Sequence, residues 1–217
     1  ALEYSLYFSN DHKLGPLFSI RYGLRLSMFH NIGKETFFLF DENHECYDQV
    51  DYASGDIFNT EFNLEPRLAA MYQLNEFSSI KASYGRTVQY AQLASNASAG
   101  IPFDMWFPTS PNIKPQKCDQ FSIGYFRNFL NNEIETSVEF FYKNIHNVID
   151  FADNATLIGN LYIDGEVRAG KGYAYGAEFL LRKNFGDFSG WISYTYSKSM
   201  RKIPGINYDR EYVSPYD

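Results

Sequence analysis

The chain has 217 residues, a formal charge of −7 and an unusual aromatic load of 20 Phe, 18 Tyr and 2 Trp. The acidic balance argues against a nucleic-acid partner, which wants a basic face. Two cysteines, Cys46 and Cys118, are too few for a disulfide scaffold or a four-ligand zinc site, and no run of about 18 apolar residues forms a transmembrane helix.

The length admits one all-β domain over residues 1–217. Residues 2–10 alternate Leu2, Tyr4, Leu6 and Phe8 with Glu3, Ser5, Tyr7 and Ser9, the period of two of a strand with one apolar and one wet face. A short turn at 11–15 follows. Residues 16–30 then put Phe18, Ile20, Tyr22, Leu24, Leu26 and Met28 opposite Leu17, Ser19, Arg21, Gly23, Arg25 and Ser27. The next stretch is long and acidic. Asp41, Glu42, Glu45, Asp48, Asp51 and Asp56 fall in 41–56 without a Lys or Arg, and residues 36–40 could add a strand. The spacing of these carboxylates matches no EF-hand, so a solvated loop is the simpler reading than a Ca²⁺ site.

Residues 60–74 carry Phe62, Leu64, Leu68, Ala70, Tyr72 and Leu74 at even positions, and 75–77 turn the chain. Residues 79–90 place Ile80, Ala82, Tyr84, Arg86, Val88 and Tyr90 on the apolar side, and 91–118 form a second long loop. Strands at 119–130 and 133–147 flank Asn131-Asn132, a two-residue hairpin candidate because Asn tolerates positive φ. A third long loop covers 148–172. Strands at 173–183 and 188–199 flank a turn at 185–187, and 200–217 begin another loop.

Eight strands in four hairpins result, with every short turn at one end and every long loop at the other. Outer-membrane barrels have short periplasmic turns and long outer loops. Strands of 12–15 residues also exceed the usual globular five or six. Arg86 and Arg127 fall on the apolar parity. Such an Arg costs about 2–4 kcal/mol at mid-membrane and about 0–1 near an interface. Arg127 should therefore sit at the periplasmic interface and Arg86 near the outer headgroups; a β-bulge that flips parity is the alternative.

Enzyme chemistry finds little support. His12, His30, His44 and His146 have no metal-ligand spacing, and no nucleophile elbow, zincin or P-loop motif occurs. Ser27 and His30 are near in sequence, but a strand points them to opposite faces. Two groups are candidate sites. Phe103, Asp104, Trp106 and Phe107 crowd an otherwise small and polar loop, where aromatics either stack on a ligand or pack against other loops. Arg21, Arg25, Glu65 and Arg67 lie on the wet parity of neighbouring strands and could pair across a lumen wall.

Gly23-Leu24-Arg25, Glu65-Pro66-Arg67 with Tyr72, and residues 79–86 (SIKASYGR) resemble barrel strands of TonB-dependent outer-membrane receptors. Asn112-Ile113-Lys114-Pro115-Gln116, leading to Asp119-Gln120 and Gly124-Tyr125, resembles their loop-to-strand signature. Residues 172–179 (GYAYGAEF) resemble another of their strands. The flavour is closest to the Bacteroidetes branch with SusC-like transporters. The resemblance implies an antiparallel up-and-down transmembrane β-barrel of about 22 strands with a plugged lumen, of which this chain is a section without the plug domain. It implies a Gram-negative cell outer-membrane location and active transport, with no catalysis and no cofactor. The implied partners are outer-membrane lipid, the TonB system through the missing plug, a surface lipoprotein, and a small-molecule, glycan or peptide ligand. A section of longer protein is expected either to close as a small barrel or to pair its edges with another copy. The rival readings are a soluble or surface-anchored β-sheet binding protein of adhesin type and an outer-membrane barrel enzyme.

Overall fold

A computed structural model of the protein describes residues 1–94 and 105–214. Its strands, in chain order, are β1 (Leu2–Lys13), β2 (Phe18–Ile32), β3 (Glu35–Phe40), β4 (Cys46–Tyr52), β5 (Ile57–Asn75), β6 (Ser78–Gln89) and β7 (Ala91–Ala94). After these come β8 (Met105–Pro108), β9 (Gln116–Phe129), β10 (Ile134–Phe151), β11 (Val167–Lys183), β12 (Gly190–Lys202) and β13 (Tyr212–Val213). The eight long strands form one antiparallel sheet in the order β1-β2-β5-β6-β9-β10-β11-β12, with β13 as a short ninth beside β12. Two hairpins, β3-β4 and β7-β8, stand in the long loops as sheets of their own.

The register keeps like with like. Leu26 faces Leu64 and Met28 faces Phe62 on one side of the sheet; Arg25 faces Glu65 and Ser27 faces Asn63 on the other. No layer covers the apolar side, where Phe62, Leu64, Phe121, Ile123, Phe140 and Ile192 are all exposed. An uncovered apolar face this wide belongs against lipid. No helix among the described residues is long and apolar enough to cross a membrane. The buried core lies elsewhere, at the long-loop end. Ala94, Phe107, Ile113, Ile149, Phe151 and Val167 form one cluster, and Val148, Ile203 and Ile206 a second.

Several expectations change. Residues 11–13 extend β1 instead of turning, held opposite Ser19, Ile20 and Arg21. Asn131-Asn132 is not a two-residue loop: Phe129 pairs with Ile134, so the turn has four residues. Leu130, Asn131 and Asn132 all take positive φ, and the Glu133 amide donates to the Leu130 carbonyl at 3.1 Å. The strand at 36–40 forms, and it pairs with β4, which its acidic sequence concealed. The long strands outrun their expected ends, β5 reaching 19 residues and β10 18. Cys46 and Cys118 are free, and both sit in strands instead of loops. Among the described residues β1 and β12 do not meet, so the sheet is open and the small-barrel alternative falls.

The two arginines stay on the apolar parity, toward opposite ends of the sheet. The β6–β9 register runs unbroken from Ser78 to Gln89, so no bulge flips Arg86 off the apolar face. Arg86 grips Asp119, its register partner, with Nε to Oδ1 at 2.8 Å and Nη2 to Oδ2 at 2.9 Å. The Tyr84 hydroxyl donates to the same carboxylate at 2.7 Å. Paired and hydrogen-bonded, these charges suit an interface far better than a lone Arg would. Arg127, beside the 130–133 turn, lies 4.8 Å from the centre of the Phe129 ring.

Candidate functional site

Two surfaces remain for function: the polar face of the wall and the roof of packed loops. On the wall, the alternation of β1, β2 and β5 lines up a charged row. Arg25 reaches Glu3 at 3.2 Å on one side and Glu65 at 3.7 Å on the other. Glu65 is nearly fully buried. Arg21 pairs with Asp11 at 2.6 Å in solvent. Arg67 makes no ion pair among the described residues. Its register neighbours on both sides are glycines, Gly23 and Gly85, so its side chain lies in a slot between them. This slot opens into a recess of about 800 Å³ lined by Ser5, Tyr7, Arg21, Arg25, Arg67 and Thr87 among others.

The sequence placed Tyr90 on the apolar face. The structure turns it inward, because β6 ends at Gln89 and the alternation breaks there. Tyr90 stacks on Phe29, ring centres 5.0 Å apart. Its hydroxyl bonds Ser27 Oγ at 2.8 Å and accepts from Asn63 Nδ2 at 3.1 Å. Ser27 is therefore committed to structure, and His30, on the other face, bonds Thr60 Oγ1 at 2.8 Å. Strand alternation keeps this serine and histidine apart, and they form no catalytic pair.

The roof is built from long loops that would otherwise be independent. Phe38 of the β3-β4 hairpin meets Tyr162 edge-to-face at 4.9 Å. Asn112 donates to the Phe38 carbonyl at 3.0 Å and to Asp164 Oδ2 at 3.4 Å, joining three loops. Only glycine fits at 165, since a Cβ there would meet the Phe40 ring at 2.7 Å. Burial pushes the Asp164 carboxyl up, with the Asn112 hydrogen bond opposing and Glu35 assisting. Burial also lowers the Arg168 guanidinium, which donates to the Gly165 carbonyl at 2.6 Å. At the base of the roof Asp150 accepts from the Phe151 amide at 3.0 Å and the Tyr212 hydroxyl at 3.1 Å, with Arg201 Nη1 at 3.6 Å. Burial pushes both the Asp150 carboxyl and the Tyr212 phenol up.

The acidic segment is mostly turn chemistry. Asp41 accepts from the Asn43 and Glu45 amides, Asp48 from the Gln49 amide, Asp56 from the Ala53 amide and Asp51 from Thr36. Aspartate at these positions satisfies backbone donors locally. Among the described residues no three carboxylate, imidazole or thiol groups converge on one point.

The aromatic loop candidates divide. Phe103 and Asp104 lie outside the described residues. Phe107 is 5 % exposed and packs edge-to-face on Phe151 at 5.7 Å, inside the loop core. Trp106, next to it in β8, points the other way and is 65 % exposed.

A family profile described as TonB dependent receptor-like, beta-barrel, matches residues 3–215. The chain belongs to the TonB-dependent receptor β-barrel family. Solved structures agree in fold at low identity. The FrpB iron transporter from Neisseria meningitidis superposes with a TM-score of 0.61 at 15 % identity, over 94 % of this chain and 27 % of its own. The ferric-catecholate import receptor Fiu from E. coli K12 gives 0.57 at 18 %, over 92 % and 28 %. The RagAB peptide importer gives 0.52 at 12 %, over 98 % and 23 %. No curated protein sequence matches. The chain thus spans about a quarter of these structures, as a section of a TonB-dependent receptor wall in the Gram-negative outer membrane.

Within that wall, Tyr90 and the Arg67 slot escaped the sequence reading. Tyr90 carried the wrong parity. The slot was visible only as two glycines, Gly23 and Gly85, whose relation to Arg67 needs the register.

Proposed function

We propose that residues 1–217 form one section of the wall and outer loops of an active-uptake receptor, working with the TonB system and a plug domain. Ligand is captured at the roof, where the exposed Trp106 ring offers a contact surface beside the buried Phe107, and Phe103 and Asp104 are further candidate contacts by sequence. It then passes along the polar face, where Arg67 meets it between Gly23 and Gly85, flanked by the paired Arg21, Arg25 and Glu65. One observation carries this reading: a single sheet has one face fit for lipid and one polar face holding a recess of about 800 Å³ beneath the long loops. The three structural neighbours are described as importers or transporters of iron, ferric catecholate and peptide. Iron chelates, glycans and peptides are therefore the ligand classes to test, and a surface lipoprotein of the importer type is a candidate partner.

The test is deletion of the parent gene, followed by growth on ferric chelates, oligosaccharides and peptides as sole sources, with and without a working TonB. Loss of growth on one source, reproduced by loss of TonB, is expected. Loss of surface attachment with every uptake intact would favour the adhesin-type reading, and loss of a surface hydrolytic activity the enzyme.

A further inference from the structure

The register reveals a row of basic residues that sequence order hides. Lys117 on β9 stands opposite His146 on β10, His146 opposite Lys171 on β11, and Lys171 opposite Lys202 on β12. All four share the face of Phe121, Tyr142, Tyr175 and Tyr196, which is the lipid side. Lys198 lies on the same face, opposite Tyr175. In a chain of charge −7, four adjacent strands carry basic residues at one register level. Lys171 and Lys202, like charges directly opposite one another, repel, while His146 feels the Asp119 carboxylate and lies 3.2 Å from the Asn144 amide nitrogen. None of the four forms an ion pair among the described residues. Asp119, on this face, is engaged by Arg86, and Glu211 accepts from the Tyr173 hydroxyl at 3.0 Å.

Depth identifies the missing counter-charge. A strand tilted about 45° climbs about 2.3 Å per residue along the barrel axis. The row lies about ten residues, or about 23 Å, above Arg127 at the periplasmic interface, against an apolar band about 25 Å tall. It therefore sits at the top of the hydrocarbon, at the boundary with the outer headgroups. The regular strand ends just there, at the bulge between His146 and Val148 with Asn147 at φ 58°. From β9 to β12 the row is three strand spacings long, about 14 Å, which one phosphate cannot bridge.

We propose that the Lys117–His146–Lys171–Lys202 row is a docking site for a phosphorylated lipid headgroup of the outer leaflet, one bearing more than a single phosphate. Phosphates supply the charge that the protein omits, and the Asn144 amide and Tyr173 hydroxyl, one residue pair below, offer polar contacts to the attached sugar. The site rests on the outer-membrane location, not on uptake, and its test reads binding alone.

The full-length receptor, purified in detergent, is titrated with phosphorylated lipid A in zwitterionic nanodiscs, with dephosphorylated lipid A, and with inorganic phosphate as competitor. Wild type should bind the phosphorylated lipid and bind the dephosphorylated one far more weakly. Each lysine near an anionic surface is worth about fivefold, so Lys117→Ala, Lys171→Ala and Lys202→Ala together should lose about 100-fold. The matching triple Lys→Arg variant should stay within about threefold of wild type, since it keeps the charge. Equal binding of both lipids by wild type, or of phosphorylated lipid by the alanine variant, overturns the proposal. Full displacement by millimolar phosphate also overturns it, because the site would then be one for a free ion. If the alanine variant fails to fold, the wild-type lipid comparison decides.

Discussion

Adjacent residues on β10 should give opposite outcomes when each is changed to lysine. Phe140 is 54 % exposed on the lipid face and lies about eight residues above the 130–133 turn, about 18 Å along the axis and so within the apolar band. Phe140→Lys places a cation there at a cost of about 2–4 kcal/mol, about 30- to 900-fold in the folding equilibrium. Glu139 faces the lumen directly opposite Glu178 of β11, two like charges in register. Glu139→Lys converts that repulsion into an opposite-charge pair and should be neutral or stabilising by about 0.2–1 kcal/mol. Val88→Lys, opposite Lys117 at headgroup level, should cost about 0–1 kcal/mol for its depth and about 0.2–1 kcal/mol for like-charge repulsion, less than Phe140→Lys although Val88 shares the lipid face. The assay is urea titration of the full-length receptor refolded into lipid vesicles, followed by heat-modifiable gel mobility. Equal destabilisation by Phe140→Lys and Glu139→Lys would refute the face assignment. A Val88→Lys loss matching that of Phe140→Lys would refute the depth scale.

Three further outcomes follow from local geometry. Gly23→Ala would put a Cβ 2.8 Å from the Phe8 carbonyl oxygen and should destabilise the β1–β2 pair, whereas at Gly85 the nearest atom is Arg67 Cγ at 3.9 Å, so Gly85→Ala should fold normally; the same urea titration separates them. Tyr90→Phe should cost about 1–3 kcal/mol, because it strips the partner from buried Ser27 and Asn63, read as faster amide exchange at the tops of β2 and β5. Asp164 carries a folded-state pKa raised by burial, so the folded roof binds its proton more tightly than the unfolded chain does. Its stability contribution is complete below the unfolded carboxylate pKa and lost as pH rises through the folded value. Asp164→Asn should therefore flatten the pH dependence of amide exchange around residues 110–113 and 162–168; a dependence unchanged by the substitution would exclude Asp164 as its source.

The wall was legible because a period of two, repeated over strands longer than ten residues, survives local noise. Arg86 and Arg127, which broke the pattern, were readable through depth alone. The roof was not legible for a matching reason. β7 and β8 have four residues each, too few to establish a period. β4 is Cys-Tyr-Asp-Gln-Val-Asp-Tyr, whose acids suggest a loop until Phe37 and Phe38 provide its partner strand. Phe107 could not be told from a ligand contact, since a buried and an exposed aromatic read alike when the burying residue, Phe151, is 44 positions away. The Arg67 slot and the lysine row are both products of register, which joins residues that no local window contains.

Charge is ordered by height, and that order supports the orientation without appeal to relatives. Above the bulge at Asn147 lie the acids of 41–56, capping turns in water. At the bulge lie Lys117, His146, Lys171 and Lys202, none in an ion pair among the described residues. Just beneath, Arg86 and Asp119 neutralise each other where hydration begins to fail. Below them the lipid face of β9, β10 and β11 is apolar as far as Arg127, at the level where the short turns return to water, while on β12 Lys198 stands opposite Tyr175 at that depth. A β-sheet wetted on both faces has no reason to sort acids, bases and paired charges into successive levels above a largely apolar one. A bilayer imposes that order, since each level meets a different solvent. An exchange that violates it, such as moving the Arg86–Asp119 pair down to Ala82 and Ile123, which also face each other across β6 and β9, should block membrane assembly while leaving the cross-strand geometry unchanged.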